Sequence, residues 1–532
     1  MALDRRTFLR HGASAAALPW LAACAPLLDS ESAAPPFLHG VASGDPASDR
    51  VILWTRVTPP AGANEALPVQ WEIAADPGFA RRVAGGAALA TPERDYTVKL
   101  DVGGLAPGMI YYYRFAAAGG TSPIGRTRTL PVGRLEHLRL AFCSCAAWES
   151  GYFGAYAHIA ARADLDAVLH LGDYIYEGTA APSAPGHALG RLPEPNREIL
   201  SLADYRTRYA QYRRDPDLQE LHRQHPVIAL WDDHEFADNA WGGGARNHQP
   251  DEGSWSDRRA AGVRAYREWL PIREWDEGAG GTAYRSFRFG DLVDLLMLET
   301  RLGRDAPVLD RTAREALERP ERSMLGPVQE RWLADRLVES QRDAVAWRVL
   351  GQQVVFASMR DERGFVHNVD AWDGYPATRE RILDLWQRRG LRDNVILTGD
   401  VHSSWALDVP HDAYAEGGYD GQAGGDVWAV EFVTPGITAG SGVRPENLAG
   451  ATASAERDNP HLHWIDLAHR GYAVLDVDRE RAQCEWYHMS DVERRGAPEH
   501  LAAVFRADRG GAGLARVDAA SESPPRALPP AS

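Results

Sequence analysis

Hydrophobic and polar positions change their rhythm along the chain. Between about Phe37 and Thr129 the apolar residues come in short β-rich runs broken by Gly and Pro. Arg50–Val57 is dense in β-formers, Val69–Ile73 alternates, and Ile110–Phe115 is an aromatic run that follows the turn-rich Gly103–Gly108. Short strands with this punctuation predict a small all-β unit over residues 37–131. From about Leu138 the order changes. Strand-like runs at Leu138–Cys143, Ala167–Leu171, Val227–Trp231, Leu292–Leu298, Trp347–Phe356, Asn394–Thr398, Val427–Val433 and Tyr472–Val477 are interleaved with other segments. Those segments include helix-like Tyr152–Ala163, Ala203–Asp215, Asp257–Trp269, Pro327–Ser340 and Pro376–Arg389. Such alternation predicts a layered α/β domain over 138–490. From Asp508 to Ser532 the composition turns to Gly, Ala, Ser and Pro, and the segment reads as a disordered tail.

The first residues read as an address. Arg5-Arg6 stands before Phe8-Leu9, and a short Ala-rich apolar stretch runs from Ala13 to Ala23. It is shorter than the roughly 20 apolar residues a bilayer span needs, and it fits the apolar region of a signal peptide over residues 1–24. The paired arginines resemble the signal read by the twin-arginine (Tat) export machinery, which predicts a periplasmic or secreted protein. Leu21-Ala22-Ala23-Cys24 resembles a lipobox, so Cys24 is either a lipidation site that anchors the chain or an ordinary small residue of the signal. No other run is long enough for a transmembrane helix.

Composition narrows the class. With 532 residues, 44% hydrophobic and 25% charged, the chain can bury a large core. Its 74 acidic and 58 basic residues leave a net charge of −16. A nucleic-acid-binding module needs a basic footprint, so none is expected. The same charge repels an anionic substrate unless something local reverses the sign. Beyond Cys24 three cysteines remain, Cys143, Cys145 and Cys484. Cys143 and Cys145 are two apart in a strand-like run, which predicts one face for both and makes them a poor disulfide. A thiol kept free through export suits a metal ligand.

Polar residues gather just after the strands, where α/β folds place their ligands. Ser144-Cys145 follows the first, Gly172-Asp173-Tyr174-Ile175-Tyr176-Glu177 the second, Asp232-Asp233-His234-Glu235 the third, and Gly399-Asp400-Val401-His402 the Asn394–Thr398 strand. Thiol, carboxylate, phenol and imidazole at four strand ends point to a metal site, with oxygen donors for hard cations and nitrogen and sulfur for softer ones.

These residues carry a resemblance over nearly all of the chain that follows the leader. Gly40-Val41-Ala42-Ser43-Gly44-Asp45-Pro46, Val51–Arg56, Phe142–Cys145, His170–Glu177, Trp231–Glu235, Met324-Leu325-Gly326 and Leu397–Trp405 resemble the PhoD-type alkaline phosphatases, relatives of the purple acid phosphatases. The resemblance implies a four-layer α/β metallophosphoesterase sandwich preceded by an immunoglobulin- or fibronectin-like β-domain. It implies an Fe³⁺ site with Cys145, Asp173, Tyr176, Asp400 and His402 as ligands, and adjoining Ca²⁺ held through Asp173 and Asp233. Asp233 and Asp400 stand where the wider group has Asn and His, an exchange toward oxygen-loving cations. The His-bearing strand motif of that group has no counterpart here; Gly351-Gln352-Gln353-Val354 lies nearest.

The implied activity is metal-dependent hydrolysis of phosphomonoesters, with phosphodiesters as a side activity. Cations bind the non-bridging oxygens, activate water and stabilise the leaving oxygen. Beside Asp233, His234 either donates a proton to that oxygen or orients its neighbour. Asn239 is a candidate contact to metal or phosphate, or a loop former. Arg360, in the loop after Val354-Val355-Phe356, is a candidate phosphate contact among many surface arginines. Two other readings stay open at this point: a phospholipase-D-like phosphodiesterase of the same family, and a non-catalytic surface lipoprotein.

Overall fold

The computed structural model describes residues 35–274, 283–416, 419–420 and 426–522. The twin arginines, the apolar leader and Cys24 lie outside them. Among the described residues no helix is long and apolar enough to cross a membrane.

Two sheets form the body. The larger has ten strands in the order Leu514–Arg516, Glu499–Asp508, Arg481–Met489, Gly471–Asp478, His137–Cys143, Ala167–His170, Pro226–Ala229, Val41–Gly44, Arg50–Arg56 and Thr97–Gly103. Its centre, from His137–Cys143 to Val41–Gly44, is parallel. Ala167–His170 and Pro226–Ala229 are buried at every position, which is why they read as continuous apolar runs rather than alternating ones. The second sheet has seven strands, with Val293–Met297, Trp347–Gly351, Asn394–Thr398 and Val427–Val433 parallel.

The two sheets share one core. Leu140, Phe142, Leu169 and Ile228 of the first meet Leu295, Val349, Val395 and Phe432 of the second. Alternate residues of the first sheet, Ala141, Cys143, Val168 and Val227, pack instead with Tyr156, Tyr205, Tyr209 and Leu218 of the helices Gly154–Ala161, Leu202–Tyr212 and Pro216–Gln224. Beyond the second sheet, Leu296, Leu350 and Ile396 meet Leu333 and Leu337 of Gly326–Arg342 and Ile382 and Trp386 of Pro376–Arg389. The strand period of two thus sorts residues between two cores, giving helices, sheet, sheet and helices in that order.

The amino-terminal strands enclose a core of their own, drawn wholly from Phe37 to Ala117, and three of them also continue a sheet of the larger body. Val41–Gly44, Arg50–Arg56 and Thr97–Gly103 extend the ten-stranded sheet, while Leu67–Ala74, Arg82–Ala90, Ile110–Ala117, Gly120–Thr121 and Gly125–Arg128 form a five-stranded sheet of their own. Val51, Leu53, Val98 and Val102 pack between them on Val69, Ile73, Tyr113 and Phe115. Pro226–Ala229 would otherwise end the parallel run with an open edge, and pairing with Val41–Gly44 satisfies its backbone groups. Strand pattern reports strands, not the sheet they join.

Two other segments differ. Leu514–Arg516 pairs with Glu499–Asp508, and Ser521 donates from N and Oγ to buried Glu485 at 2.7 Å, so ordered chain runs into the expected tail. Residues 523–532 of that tail lie outside the described ones. The strand Trp347–Gly351 stops short of Phe356, and Gln352 and Gln353 turn inward.

Candidate metal centre

The parallel strands deliver their carboxyl ends to one place. His137–Cys143 leads into Cys145, Ala167–His170 into Asp173 and Tyr176, Pro226–Ala229 into Asp232 and Asp233, and Asn394–Thr398 into Asp400 and His402. Each turn is sharp. Cys145, Asp173, Asn239, Asp400 and His402 all have φ between +54° and +63°, the left-handed region that side chains avoid. Five such residues at one site mark backbone strain held in place by the surrounding fold. At Gly172, φ +109°, a Cβ would stand 2.4 Å from Asp232 Cβ, so the second and third loops touch only because this residue has none.

Glu235 ties these loops together. Its carboxylate accepts from Asp173 N at 3.1 Å, Tyr174 N at 2.6 Å and Asp232 N at 2.6 Å. Burial pushes its carboxyl up to about 8. Gln352 and Gln353 do not reach the site. Gln352 Nε2 donates to Thr398 Oγ1, and Gln353 Nε2 donates to the Trp231 and Leu298 carbonyls, so the Gly351–Val354 motif is structural.

Two overlapping donor groups result. Cys145, Asp173 and His402 offer ligand atoms within 4.8 Å of one another, and Asp173, Asp233 and His234 form a second set sharing Asp173. Tyr176 Oη joins the first set, donating to Asp173 Oδ2 at 2.9 Å and standing 3.1 Å from His402 Nε2. His402 Nδ1 lies 3.1 Å from the Gly440 carbonyl, an arrangement that places the proton on Nδ1 and leaves the Nε2 lone pair facing Asp173. Cys145 does not share a face with Cys143: the strand ends first, Cys143 joins the helix-side core, and Cys145 packs with Ala147, Ala439 and Tyr176.

A third group is Asp232, Asp233 and Asp400. Strand-end reasoning missed what lies inside it. Arg301, fully buried, follows Val293–Met297 and reaches Asp232, Asp370, Asp400 at 2.6 Å and Asp233 at 3.4 Å. Arg304 holds Asp370 at 2.6 Å from the other side. The rule that exposed the other loops, polar residues directly after a strand, applies equally to Glu299-Thr300-Arg301. Asp370 has no such signal, because it sits in a long loop.

Charge is expensive here. Burial and the Asp173 carboxylate push the Cys145 thiol well above the usual range, and burial with Asp173 does the same to Tyr176. Burial pushes Asp400 up to about 6 against the pull of Arg301. Burial raises Asp233 too, but Arg301 and His234 outweigh it and hold it below the carboxylate range. Asp232 Oδ2 and Asp233 Oδ1 are buried and make no hydrogen bond, the second having only the 3.4 Å ion pair to Arg301. Orphaned carboxylate oxygens beside thiol, phenol and imidazole are what a cation site requires, so the donors fit bound metal ions.

His234 stands at the rim. Its ring lies 4.3 Å from that of Tyr176, and its Nδ1 is 2.6 Å from Glu177 Oε2. Glu177 also accepts from Asp238 N and Asn247 Nδ2. Burial works against the imidazolium, yet Glu177, Asp233 and Asp173 outweigh it and keep the proton well above the usual histidine range. A cleft of about 360 Å³ opens here, lined by Tyr176, Glu177, His234, Asp238, Arg246 and Asn247. Asn239 contributes its backbone N–H, 2.5 Å from Asp233 Oδ2. Arg360 is not brought to the cluster. It stacks on Tyr414 at 4.0 Å and lines a separate groove with His411 and His461.

Known proteins are similar to this chain in sequence and in fold. The sequence profile described as PhoD-like phosphatase matches residues 140–486, and that of the PhoD-like phosphatase N-terminal domain matches 22–131. The chain is 36% identical over 504 residues to alkaline phosphatase D of Bacillus subtilis strain 168, covering 91% of this chain and 82% of that protein. A solved structure described as that of PhoD superposes with a TM-score of 0.82 at 34% identity, covering 93% of this chain and 94% of that one. With both profiles, the relative and the solved structure in agreement, the chain belongs to the PhoD-like phosphatase family.

Proposed function

We propose that this protein is an exported, metal-dependent alkaline phosphatase that hydrolyses phosphomonoesters, with phosphodiesters as a side activity. The observation that carries this reading is the convergence of Cys145, Asp173, Tyr176, Asp233, Asp400 and His402 beside the His234 cleft. Cys145, Asp173, Tyr176, Asp400 and His402 would hold Fe³⁺, the thiol, phenol and imidazole suiting it. Asp173 and Asp233 would hold Ca²⁺ together with substrate or water. Bound there, the cations supply the positive charge, the activated water and the stabilised leaving oxygen that phosphoester hydrolysis demands.

The remaining roles belong to the chain. His234, protonated and facing the cleft, donates its proton to the departing ester oxygen. Glu177 holds the ring by Nδ1, so that Nε2 carries the proton to be given. Asn239 fixes Asp233 through its backbone N–H. Arg301 balances Asp232 and Asp370 and keeps Asp233 and Asp400 in register. Export rests on Arg5-Arg6 and the Ala-rich stretch that follows.

The test is hydrolysis of aryl phosphate monoesters and diesters by the protein exported from its own host, before and after chelation, with elemental analysis of iron and calcium. Activity that is lost on chelation and returns with both metals supports the reading. Hydrolysis indifferent to chelation refutes it.

A further inference from the structure

A second cluster of metal-ligating side chains lies away from the phosphatase centre. Asp466, His469 and His488 offer ligand atoms that all stand within 4.8 Å of one another. They come from two pieces of chain. Asp466 ends the strand Leu462–Asp466 at the border of the seven-stranded sheet, His469 sits in the following turn, and His488 is near the end of Arg481–Met489 in the ten-stranded sheet. The rings of His469 and His488 are stacked 5.1 Å apart. His500, cross-strand from His488, presents its ring at 5.9 Å from His488 and 6.0 Å from His469.

We propose that Asp466, His469 and His488 form an accessory site for a borderline divalent cation of the zinc class, with His500 at its open side. The donor set is one carboxylate and two or three imidazoles, the chemistry of zinc rather than of calcium. Around a tetrahedral zinc the ligand atoms stand about 3.4 Å apart. Atoms already within 4.8 Å need close by little more than an ångström, which side-chain rotation provides. His488 is buried, and Ser404 Oγ anchors its Nε2 at 2.9 Å, as the outer partners of metal-binding histidines do. Burial also keeps its imidazole neutral, pushing it down to about 4. Asp466 is pre-oriented as well, since Oδ1 accepts the Ala468 and His469 N–H groups and both oxygens face His469 Nδ1, Oδ1 at 3.1 Å and Oδ2 at 2.9 Å.

The site's place in the fold gives it a consequence. An ion there pins the borders of the two sheets to each other. Ser404 is cross-strand from Asp466 and begins the strand that follows His402. The turn after Asp466 touches the same region from the other side, where Ser441 Oγ donates to the Leu467 carbonyl beside Gly440, the partner of His402 Nδ1. The accessory ion is therefore structural, and it braces the loop that presents His402. It does not rest on the phosphatase reading, because its readout is ion binding.

The experiment incubates purified holoenzyme with excess Zn²⁺, desalts it, and counts zinc per chain in wild type and in His469→Ala. Wild type is expected to retain about one zinc more per chain than the variant. It is also expected to show a zinc-dependent rise in Tm that His469→Ala lacks. His469→Cys, which restores a donor, is expected to recover the ion and tests the site should the alanine variant fold poorly. Aryl phosphatase activity without added zinc serves as the check of an intact phosphatase centre. Equal zinc in wild type and both variants overturns the proposal, as does a wild type that retains none beyond its iron and calcium.

Discussion

Replacing Glu177 by Gln asks whether His234 is the proton donor. The substitution keeps the shape of a side chain that is buried and makes three hydrogen bonds, to His234 Nδ1, Asp238 N and Asn247 Nδ2. It removes one negative charge 2.6 Å from the imidazole. A hydrogen bond to a charged group contributes about 1.5–3 kcal/mol, which at 1.36 kcal/mol per unit is a fall of about one to two pK units for His234. The sign follows from the role. His234 is held protonated well above its ordinary range, so the donor is present at pH values below that raised pKa and lost as pH rises through it. Glu177→Gln lowers the pKa, so the alkaline limb of the kcat/KM profile moves to lower pH by about one to two units, with the acidic limb in place. At a fixed alkaline pH the rate falls roughly 10- to 100-fold. Aryl phosphate hydrolysis across a pH series measures this. The comparison pairs a substrate whose leaving group needs a proton with one that leaves readily as an anion, and the effect should shrink for the latter. An alkaline limb that does not move, with both substrates slowed equally, refutes proton donation and makes His234 an orienter of Asp233.

Other expectations follow from the same geometry. Asp173→Asn, which alters the carboxylate shared by two donor groups, should lower bound metal on elemental analysis and reduce kcat/KM by about 10³-fold or more, since metal contributions reach several kcal/mol. Arg301→Met strips the counter-ion from four buried or nearly buried carboxylates and should cost about 3–5 kcal/mol in urea unfolding; a loss under about 1 kcal/mol would show that the cluster tolerates its own charge. Arg360→Ala should leave kcat/KM within about twofold of wild type, because the guanidinium stacks on Tyr414 away from the donor groups.

Legibility of the sequence followed the physics of each level. Helix Pro376–Arg389 and strands Asn394–Thr398 and Val427–Val433 fall at the residues their patterns predict, because apolar period and end signals are local. Sheet membership is not local. Nothing within Val41–Gly44 says that its partner is Pro226–Ala229, more than 180 residues on, so the pattern shows the amino-terminal unit but not the sheet it shares with the rest. The site divides in the same way. Donors that directly follow strands were legible as a set, since the fold brings strand ends together. Arg360 also follows a strand-like run, but that strand ends at Gly351 and the loop leads elsewhere. Asp370 and the Glu177–His234 contact depend on loop packing that no spacing encodes.

Net charge is the last feature that the structure reinterprets. A chain of −16 handling an anionic ester looks ill matched. At the centre the mismatch is concentrated: Asp173, Asp232, Asp233, Asp370 and Asp400 gather around Arg301 and Arg304, with His234 beside Asp173 and Asp233, so carboxyl groups outnumber the fixed cations. Arginine does not solve the problem alone. The Nε, Nη1 and Nη2 of Arg301 are each spent on a carboxylate, and it does not line the cleft beside His234. Yet it decides how the site can be loaded. By engaging Asp400 Oδ1 and Asp232 Oδ1 closely and Asp233 Oδ1 only at 3.4 Å, it leaves Asp232 Oδ2 and Asp233 Oδ1 without a hydrogen bond, and spare acceptor capacity for a cation lies on those two oxygens. The uncompensated charge thus acts as an affinity for cations with a direction. Once cations fill it, the sign facing the cleft is the one a phosphoester needs.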